Sequence, residues 1–204
     1  MGCQLIIVNV FMQQFRIEIL KEQDIDALLA LQADNLKKNL DEQTIDSQGF
    51  VSFVYTPDII KKMIESEPQI VAKDGDVIIG YALATSLEVG QTIPLMQPLI
   101  EKSRELRHKD ASRGLGVRPL SLSKYYIMGQ VCVRQGYRGI GVFDALYQGH
   151  KQYLSPQYDC IITEIATENK RSLAAHRRVG FTTIHEYYDN ISQKTWEIVL
   201  WDWL

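Results

Sequence analysis

Two hydrophobic periods alternate along this chain, one typical of strands and one typical of helices, and each change of period marks a new element. Residues 15–20 ("FRIEIL") alternate apolar and polar positions, which predicts a strand. A helical period follows, and Asp24 stands where an N-terminal cap would stand. The apolar face of this predicted helix comprises Ile25, Leu28, Leu29, Leu31 and Leu36.

A second helix is predicted to begin after Pro57, because proline fits the first turn of a helix. Its apolar face carries Ile59, Ile60, Met63 and Ile64. Residues 69–73 ("QIVAK") and 76–86 ("DVIIGYALATS") then resemble two strands. The Asp-Gly pair between them is typical of a hairpin turn. The first part of the chain therefore predicts two helices packed on an antiparallel sheet.

Residues 87–123 interrupt this pattern. The segment holds three of the six prolines, a predicted helix at residues 95–106 and the locally basic run "EKSRELRHKDASR". An insertion of this length between strands is either a functional lid or solvated decoration, and the pattern does not separate the two.

The regular alternation resumes after the insertion. Residues 125–133 ("YYIMGQVCV") and 160–167 ("CIITEIAT") predict strands, and helical spacing lies between them at residues 142–154. A further helix is predicted within residues 169–181, with Asn169 as its N-terminal cap and Gly180 as its end. Residues 195–204 ("TWEIVLWDWL") predict a last strand paired with residues 181–189 ("FTTIHEYYD").

Two near-copies of one glycine-rich pentapeptide occur, "RGLGV" at residues 113–117 and "RGIGV" at residues 138–142. The first lies in the insertion and runs into Arg118-Pro119, so it predicts only a turn. The second stands between a predicted strand and a predicted helix. Glycines there let backbone N–H groups approach a ligand, and a helix N-terminus adds a positive dipole end. The second copy therefore predicts a phosphate-binding loop.

Two common phosphate motifs fit this loop poorly. A Walker loop needs Gly-Lys followed by Ser or Thr, which does not occur in the sequence. A dinucleotide fingerprint needs a third glycine where Asp144 stands, and it belongs to an early βαβ unit.

A third motif fits better. "VRQGYRGIG" (residues 133–141) resembles the V-x-P-x-Y-R-G-x-G signature of the GNAT acyltransferase superfamily, and "NKRSLAAHRRVGF" (residues 169–181) resembles its downstream helix. The resemblance covers most of the chain from Phe15 onward. Gln135 stands where proline is common, and Phe143 stands where the phosphate motif usually has a small residue.

The resemblance implies a fold of the α/β class (α+β type). Its sheet would be mixed, mostly antiparallel, twisted and flanked by helices, with a segment inserted between the third and fourth core strands. Residues 15–204 would form a single domain with the insertion at 87–123, after a leader or edge segment at 1–14. The resemblance further implies acetyl-CoA as acyl donor, without a metal. The implied donor-binding residues are Val131, Cys132, Val133, Arg138, Gly139, Ile140, Gly141, Val142, Phe143, Asn169, Ser172 and His176.

Acyl transfer from a thioester to an amine needs a base, an oxyanion donor and a proton for the departing thiolate. His176 stands where many superfamily members carry a tyrosine acid, and the alternative is that it packs beside the cofactor. Glu88 and Glu164 are candidate bases, although a surface or sheet-face carboxylate is the competing interpretation of each. Cys132 is interpreted as a small buried hydrophobe.

The predicted function is transfer of an acyl group, acetyl above others, from CoA to the primary amine of a small molecule. A peptide amine is the second acceptor considered. The alternatives are a CoA-binding module without catalysis and a protein-interaction domain that keeps only the fold. The acceptor is expected between residues 35–55, the insertion and the final hairpin.

Composition limits the kinds of partner that the sequence predicts. A formal net charge of −3 gives no general electrostatic reason to bind nucleic acid. The three cysteines are an odd number and lack the spacing typical of zinc ligands, so they indicate neither a disulfide framework nor a zinc site. This fits a reducing cytoplasm. The apolar run near residue 1 is shorter than the ~20 residues of a membrane span, so no membrane partner is expected. A homodimer through the insertion or the last strand is considered.

Overall fold

The computed structural model describes residues 15–39, 50–51, 53–109, 116–190 and 192–204. Within these ranges seven strands form one sheet in the order β1-β2-β3-β6-β7-β9-β8. Neighbouring strands run antiparallel except β6 and β7, which are parallel. The seven strands are β1 (Arg16–Ile19), β2 (Ile70–Asp74), β3 (Val77–Thr85), β6 (Tyr125–Val133), β7 (Cys160–Ala166), β8 (Thr182–Asp189) and β9 (Lys194–Asp202). The predicted mixed, mostly antiparallel sheet is confirmed.

Helices cover both faces of this sheet. They are α1 (Ile25–Asp34), α2 (Pro57–Ser66), α3 (Leu87–Gly90), α4 (Gln97–Ser103), α5 (Val142–Leu154) and α6 (Lys170–Val179). Alternate residues of β3 enter different hydrophobic clusters, as the strand period requires. Leu28 and Met63, from α1 and α2, belong to one cluster, and Leu146 and Leu173, from α5 and α6, belong to the other.

Local sequence explains most element boundaries. Thr56 caps α2 by accepting a hydrogen bond from the Ile59 N–H, and Pro57 occupies the first turn. Gly75, at φ +56°, allows the tight turn between β2 and β3. The cap at Asn169 and the end of α6 at Gly180 are confirmed, since the Asn169 side chain accepts from the Ser172 N–H.

Two predictions for α1 need correction. Asp24 stands at the N-cap position of α1, but its side chain does not cap that helix, because the carboxylate accepts from the Lys73 ammonium at 2.9 Å and from the Lys21 N–H at 3.4 Å. The helix ends at Asp34, so Leu36 lies beyond it, in a bridge to Val51. Leu36 is buried all the same, which explains why it fell on the apolar pattern.

The insertion lies between the third and fourth core strands, β3 and β6, as predicted. It contains α3, a 3-10 turn at Pro94–Met96, α4, and the two-stranded pair β4 (Arg107–Lys109) and β5 (Val117–Pro119). The helix predicted at residues 95–106 is shorter, since α4 ends at Ser103. Of the first glycine pentapeptide, residues 113–115 lie outside the described residues, as does the predicted leader at 1–14.

The two strands of the final hairpin lie in the sheet in the opposite order to their order in the chain. Strand β9 pairs with β8, as predicted, but it also lies between β7 and β8. Within the described ranges, the helices include none that is long and apolar enough to cross a membrane. The same ranges contain no group of three or more His, Cys, Asp or Glu residues placed to hold a metal ion.

Candidate active site

The central parallel strands separate after a short paired stretch. The pairing of β6 with β7 covers three residue pairs, from Tyr125 with Cys160 to Ile127 with Ile162. The next contact is made by a side chain, since the Thr163 hydroxyl donates to the Met128 carbonyl at 3.0 Å. Residues 130–133 continue to pair with β3, and residues 129–133 have no register with β7. The backbone groups of this stretch on the β7 side therefore have no partner strand there, and the predicted role of residues 131–133 in donor binding stays a prediction.

Gly129 marks the point of separation. The register between β3 and β6 shifts here, at the bulge between Leu83 and Ala84. A Cβ atom on Gly129 would lie 2.4 Å from the Tyr55 hydroxyl oxygen and 2.6 Å from the Thr85 hydroxyl oxygen. Only glycine therefore lets these two side chains lie against the β6 backbone.

A cavity of about 590 Å³ opens on one side of the separated strands. Nine of the predicted donor-binding residues line it: Val131, Cys132, Val133, Arg138, Gly139, Gly141, Phe143, Asn169 and Ser172. The sequence predictions missed other lining residues, namely Asn35, Phe50, Val51, Tyr137, Asp144, Arg171, Ala174, Ala175 and Arg178. We call this space the donor cavity.

The glycine loop between β6 and α5 forms one wall of the donor cavity. Gly136, Gly139 and Gly141 have φ values of +88°, +81° and +93°, which side-chain-bearing residues rarely adopt. Gly141 immediately precedes α5, and the Ala145 N–H bonds back to the Gly141 carbonyl. The N–H groups of the preceding helical residues have no intrahelical acceptor, so they are available to an anion.

Three arginines give the donor cavity a positive lining. Arg138 donates from Nε to the Val133 carbonyl at 2.9 Å and from Nη2 to the Asn35 side-chain oxygen. These contacts fix the guanidinium between the end of β6 and the end of α1, and burial lowers its pKa. Arg178 pairs with Asp144 at 2.8 Å, and Arg171 lies near them in the lining. An extended ligand with several phosphate groups fits this combination of cations and free N–H groups.

Phe143, the departure from the family pattern, lines the donor cavity together with Gly139 and Gly141. Its ring centroid lies 5.0 Å from that of Tyr147 in α5 and 5.2 Å from that of His176 in α6. The ring therefore packs between these two helices at the wall of the cavity.

His176 is buried and engaged at both ring nitrogens. Nδ1 lies 2.8 Å from the Ser172 carbonyl, which can only accept, so Nδ1 carries the proton. Nε2 lies 2.6 Å from the Tyr147 hydroxyl, which then donates to it. Burial lowers the His176 pKa to about 4, so the ring is neutral near pH 7. These contacts favour the packing interpretation, and the general-acid role stays a prediction.

A second cavity, of about 160 Å³, opens beside the donor cavity. Five residues line both: Phe50, Val51, Val131, Asn169 and Ser172. The remaining walls come from β6, β7, β9, the segment before α2, the insertion, which supplies Leu95, Met96 and Leu99, and α6, which supplies His176. His176 therefore lines this second cavity and not the donor cavity. We call this space the acceptor cavity. Its position agrees with the predicted acceptor region, although residues 40–49 and 52 of that region lie outside the described residues.

Glu164 lies in the wall of the acceptor cavity. Its Oε2 accepts a hydrogen bond from the Tyr187 hydroxyl at 2.6 Å. Burial raises the Glu164 pKa to about 7, the Tyr187 hydrogen bond opposes this rise, and the charge of Asp189 adds to it. A carboxylate with such a pKa can take up a proton near neutral pH.

Three other candidates, Glu88, Ile140 and Val142, line neither cavity. Glu88 is exposed in the first turn of α3 and lines neither cavity. Ile140 is exposed and Val142 is buried in the core, so neither side chain lines a cavity. Cys132 does line the donor cavity, but burial raises its thiol pKa to about 12, which keeps it protonated.

Comparison with solved structures gives extensive matches at low sequence identity. The NatC complex bound to Gag peptide and CoA matches over 94% of this chain and 99% of its own, with a TM-score of 0.59 and 14% identity. Arabidopsis thaliana NAA60 in complex with acetyl-CoA matches over 93% and 99%, with a TM-score of 0.60 and 13% identity. The Escherichia coli ribosomal-protein-S18-alanine N-acetyltransferase matches over 93% and 94%, with a TM-score of 0.58 and 10% identity.

No protein-family model matches the chain, and no curated protein matches it in sequence. The structural matches are similar in fold across nearly their whole length. The chain therefore has the fold of the GNAT N-acetyltransferases, as the sequence motifs indicated.

Proposed function

We propose that the protein is an N-acetyltransferase that moves an acetyl group from acetyl-CoA to a primary amine. The observation that carries this proposal is the opening between β6 and β7, where a cation-lined cavity meets a cavity that holds a carboxylate. A donor bound on one side and an amine bound on the other would meet at this opening. The solved structures of similar fold that contain acetyl-CoA or CoA support the choice of donor.

The chain's own groups suit the donor. The free N–H groups at the start of α5 and the guanidinium groups of Arg138, Arg171 and Arg178 would hold phosphates. The side of residues 129–133 that has no register with β7 would hydrogen-bond the amide-rich arm, and one of its N–H groups would stabilise the oxyanion that develops on the carbonyl.

Glu164 is the proposed general base. The neutral amine nitrogen attacks the thioester carbonyl carbon, the new C–N bond forms and the C–S bond breaks. The proton lost by the amine passes to the Glu164 carboxylate, directly or through a water molecule. The sulfur leaves as a thiolate and takes a proton, for which His176 stays the predicted donor and solvent is the alternative. No oxidant or metal enters this balance.

The acceptor is a primary amine in this proposal. The small-molecule amine predicted from the sequence stays a prediction, and a peptide amine is the competing acceptor. Several solved structures of similar fold are named as enzymes of protein or peptide substrates, which favours including peptides in any test.

Thermal stability and CoA release together test the proposal. Acetyl-CoA at about 100 times its Kd should add about 2.7 kcal/mol of stability and raise Tm by about 5–10 °C. The same protein should release CoA when amines are added. A non-catalytic CoA-binding module would give the rise in Tm without CoA release, and a protein-interaction domain would give neither.

Two matched substitutions test the base. Glu164→Gln should keep the rise in Tm with acetyl-CoA and lower kcat by about 100-fold or more, because general-base catalysis is lost. Glu88→Gln should leave both unchanged, since Glu88 lies outside both cavities. A reversed result would assign the base to Glu88.

A further inference from the structure

The acceptor cavity is apolar apart from a few polar groups. Among the described residues that line it, Glu164 is the one carboxylate, and no lysine or arginine is present. Lys37 and Lys194 lie over the ring of Phe50, at the boundary with the donor cavity, but both ammonium groups pair with Glu168. Within the part of the lining that the structure describes, the acceptor cavity therefore offers a carboxylate to an ammonium group and no lysine or arginine to an acid.

We propose that the acceptor is the α-amino group of a polypeptide whose first residue has a compact apolar side chain, bound against Leu95, Met96 and Leu99. This inference rests on the proposed acetyl transfer and names its substrate class.

Charge separates a polypeptide from a free amino acid. In a free amino acid a carboxylate is attached to the carbon that carries the amine, so it would lie close to Glu164 without a compensating cation. Burying a second unpaired negative charge is costly. In a polypeptide the same carbon carries a neutral amide carbonyl. The lining therefore favours a polypeptide or an amide over a free amino acid.

The shape and lining of the cavity select the first side chain. Met96 and Leu99 are nearly fully buried, whereas Leu95 lines the same cavity and is 54% exposed. Met96 and Leu99 thus give the cavity an apolar floor, and in this proposal the rest of the polypeptide leaves on the side of the exposed Leu95. With a volume of about 160 Å³ it suits an aliphatic side chain, such as that of Met or Leu, better than an ion.

The basicity of Glu164 supports an α-amine over a lysine side chain. An α-ammonium group has a pKa of about 7.7–8.0, and a lysine ammonium has a pKa of about 10.4. The Glu164 pKa of about 7 lies much closer to the former. A proton moves from an α-ammonium to this carboxylate with a far smaller penalty.

A panel of acceptors with wild-type protein and acetyl-CoA tests the proposal, with CoA release and product mass as readouts. Short peptides that differ only in their first residue should give kcat/KM values for Met and Leu at least about 10-fold above those for Asp. Methioninamide should exceed free methionine by a similar factor. Two further compounds should be poor acceptors. One is an N-formylated peptide that carries one internal lysine, and the other is spermidine.

Two leucines of the insertion provide a matched pair of variants. Leu95→Asp should lower kcat/KM for the Met peptide by about 10-fold or more and should lower it less for a peptide that begins with Lys. Leu122→Asp should behave like the wild type within about 2-fold, because Leu122 is 72% exposed and lines neither cavity. A rise in Tm with acetyl-CoA equal to that of the wild type checks that each variant folds. If a variant does not fold, the acceptor panel measured with wild-type protein tests the proposal by itself.

The outcomes distinguish the two proposals. CoA release with spermidine, free methionine or the internal lysine at rates equal to those of the Met peptide would overturn the acceptor class while leaving acetyl transfer intact. Equal rates for Met, Leu and Asp peptides would overturn the apolar side-chain site. A rise in Tm with acetyl-CoA but no CoA release with any amine would overturn both.

Discussion

Tyr187 controls the basicity of Glu164 through one hydrogen bond. Burial raises the pKa of Glu164, and the Tyr187 hydroxyl, which donates to Glu164 Oε2, opposes that rise. Burial and the nearby Glu164 carboxylate raise the pKa of Tyr187, so that its hydroxyl remains a donor. Tyr187→Phe should therefore raise the Glu164 pKa above about 7. The acidic limb of the pH profile of kcat/KM should move to higher pH, because a higher pH is then needed to free the base.

Tyr188→Phe is the matched control, since the Tyr188 hydroxyl donates to Gln193 on the exposed side of the same strand. Its pH profile should match that of the wild type. An acidic limb that stays in place in Tyr187→Phe would indicate that a group other than Glu164 is the base.

His176 has two alternative roles, packing residue or predicted general acid, and one substitution separates them. His176→Phe removes both hydrogen bonds and leaves the buried Tyr147 hydroxyl and Ser172 carbonyl without these partners. If the ring only packs, the free energy of unfolding should fall by about 1–3 kcal/mol while kcat of the folded protein changes little. If the ring is the acid, kcat should fall by about 100-fold or more and the alkaline limb of the pH profile should change. Urea unfolding and pH-dependent kinetics measure the two quantities.

At the scale of the elements, the glycine loop before α5 can be tested by one substitution. Gly141→Val places a side chain at a φ of +93°, which costs about 1–3 kcal/mol of backbone strain and displaces the N–H groups that face the donor cavity. The rise in Tm with acetyl-CoA should disappear.

Gly75→Val controls for strain alone. Gly75 also has a positive φ and open space around it, but it lies in the β2–β3 turn and lines neither cavity. This variant should lose stability and keep the rise in Tm with acetyl-CoA. If Gly141→Val keeps that rise as well, the loop does not bind the phosphates.

The strands and the glycine loop could be predicted because their signals are local. Residues 125–133 were predicted as a strand with the same ends as β6, since nine residues between turn signals leave little choice. The helix predicted from Asp24 was longer than α1, because Leu36 is buried through a bridge to Val51, a contact distant in sequence. Burial by tertiary contact extends an apolar pattern past the end of its helix.

The acceptor cavity could be located only roughly. Its walls join side chains from the segment before α2, the insertion, β6, β7, β9 and α6, and nothing local in Leu95 or Met96 indicates that they share a cavity with Glu164. The place of Arg171 and Arg178 in the donor cavity could not be predicted either, since a basic residue on a predicted helix is usually solvated. The position of β9 between β7 and β8 likewise depends on pairing distant in sequence.

At the scale of the whole molecule, buried titratable groups make stability depend on pH. His150 is buried and hydrogen-bonded to the Ala82 carbonyl and the Tyr126 hydroxyl, and burial lowers its pKa to about 4, as it does for His176. An unfolded histidine has a pKa of about 6.5. Between pH 6.5 and 4 the unfolded chain binds protons that the folded chain does not, so stability is full above about pH 6.5 and falls as the pH falls.

Glu164 acts in the opposite direction over nearly the same range. Its folded pKa of about 7 exceeds the unfolded value of about 4.3, so its contribution to stability is full below the unfolded pKa and is lost as the pH rises through 7. At 1.36 kcal/mol per pKa unit, the pKa shift of each of the three groups corresponds to about 3 kcal/mol of unfolding free energy. Between pH 7 and 4, the stability gained through Glu164 therefore offsets the stability lost through about one of the two histidines. Glu164→Gln should therefore be more stable than the wild type at pH 7.5 and lose stability more steeply on acidification. Urea unfolding at pH 7.5, 6 and 4.5 measures both slopes, and equal slopes would contradict the burial of an ionisable Glu164.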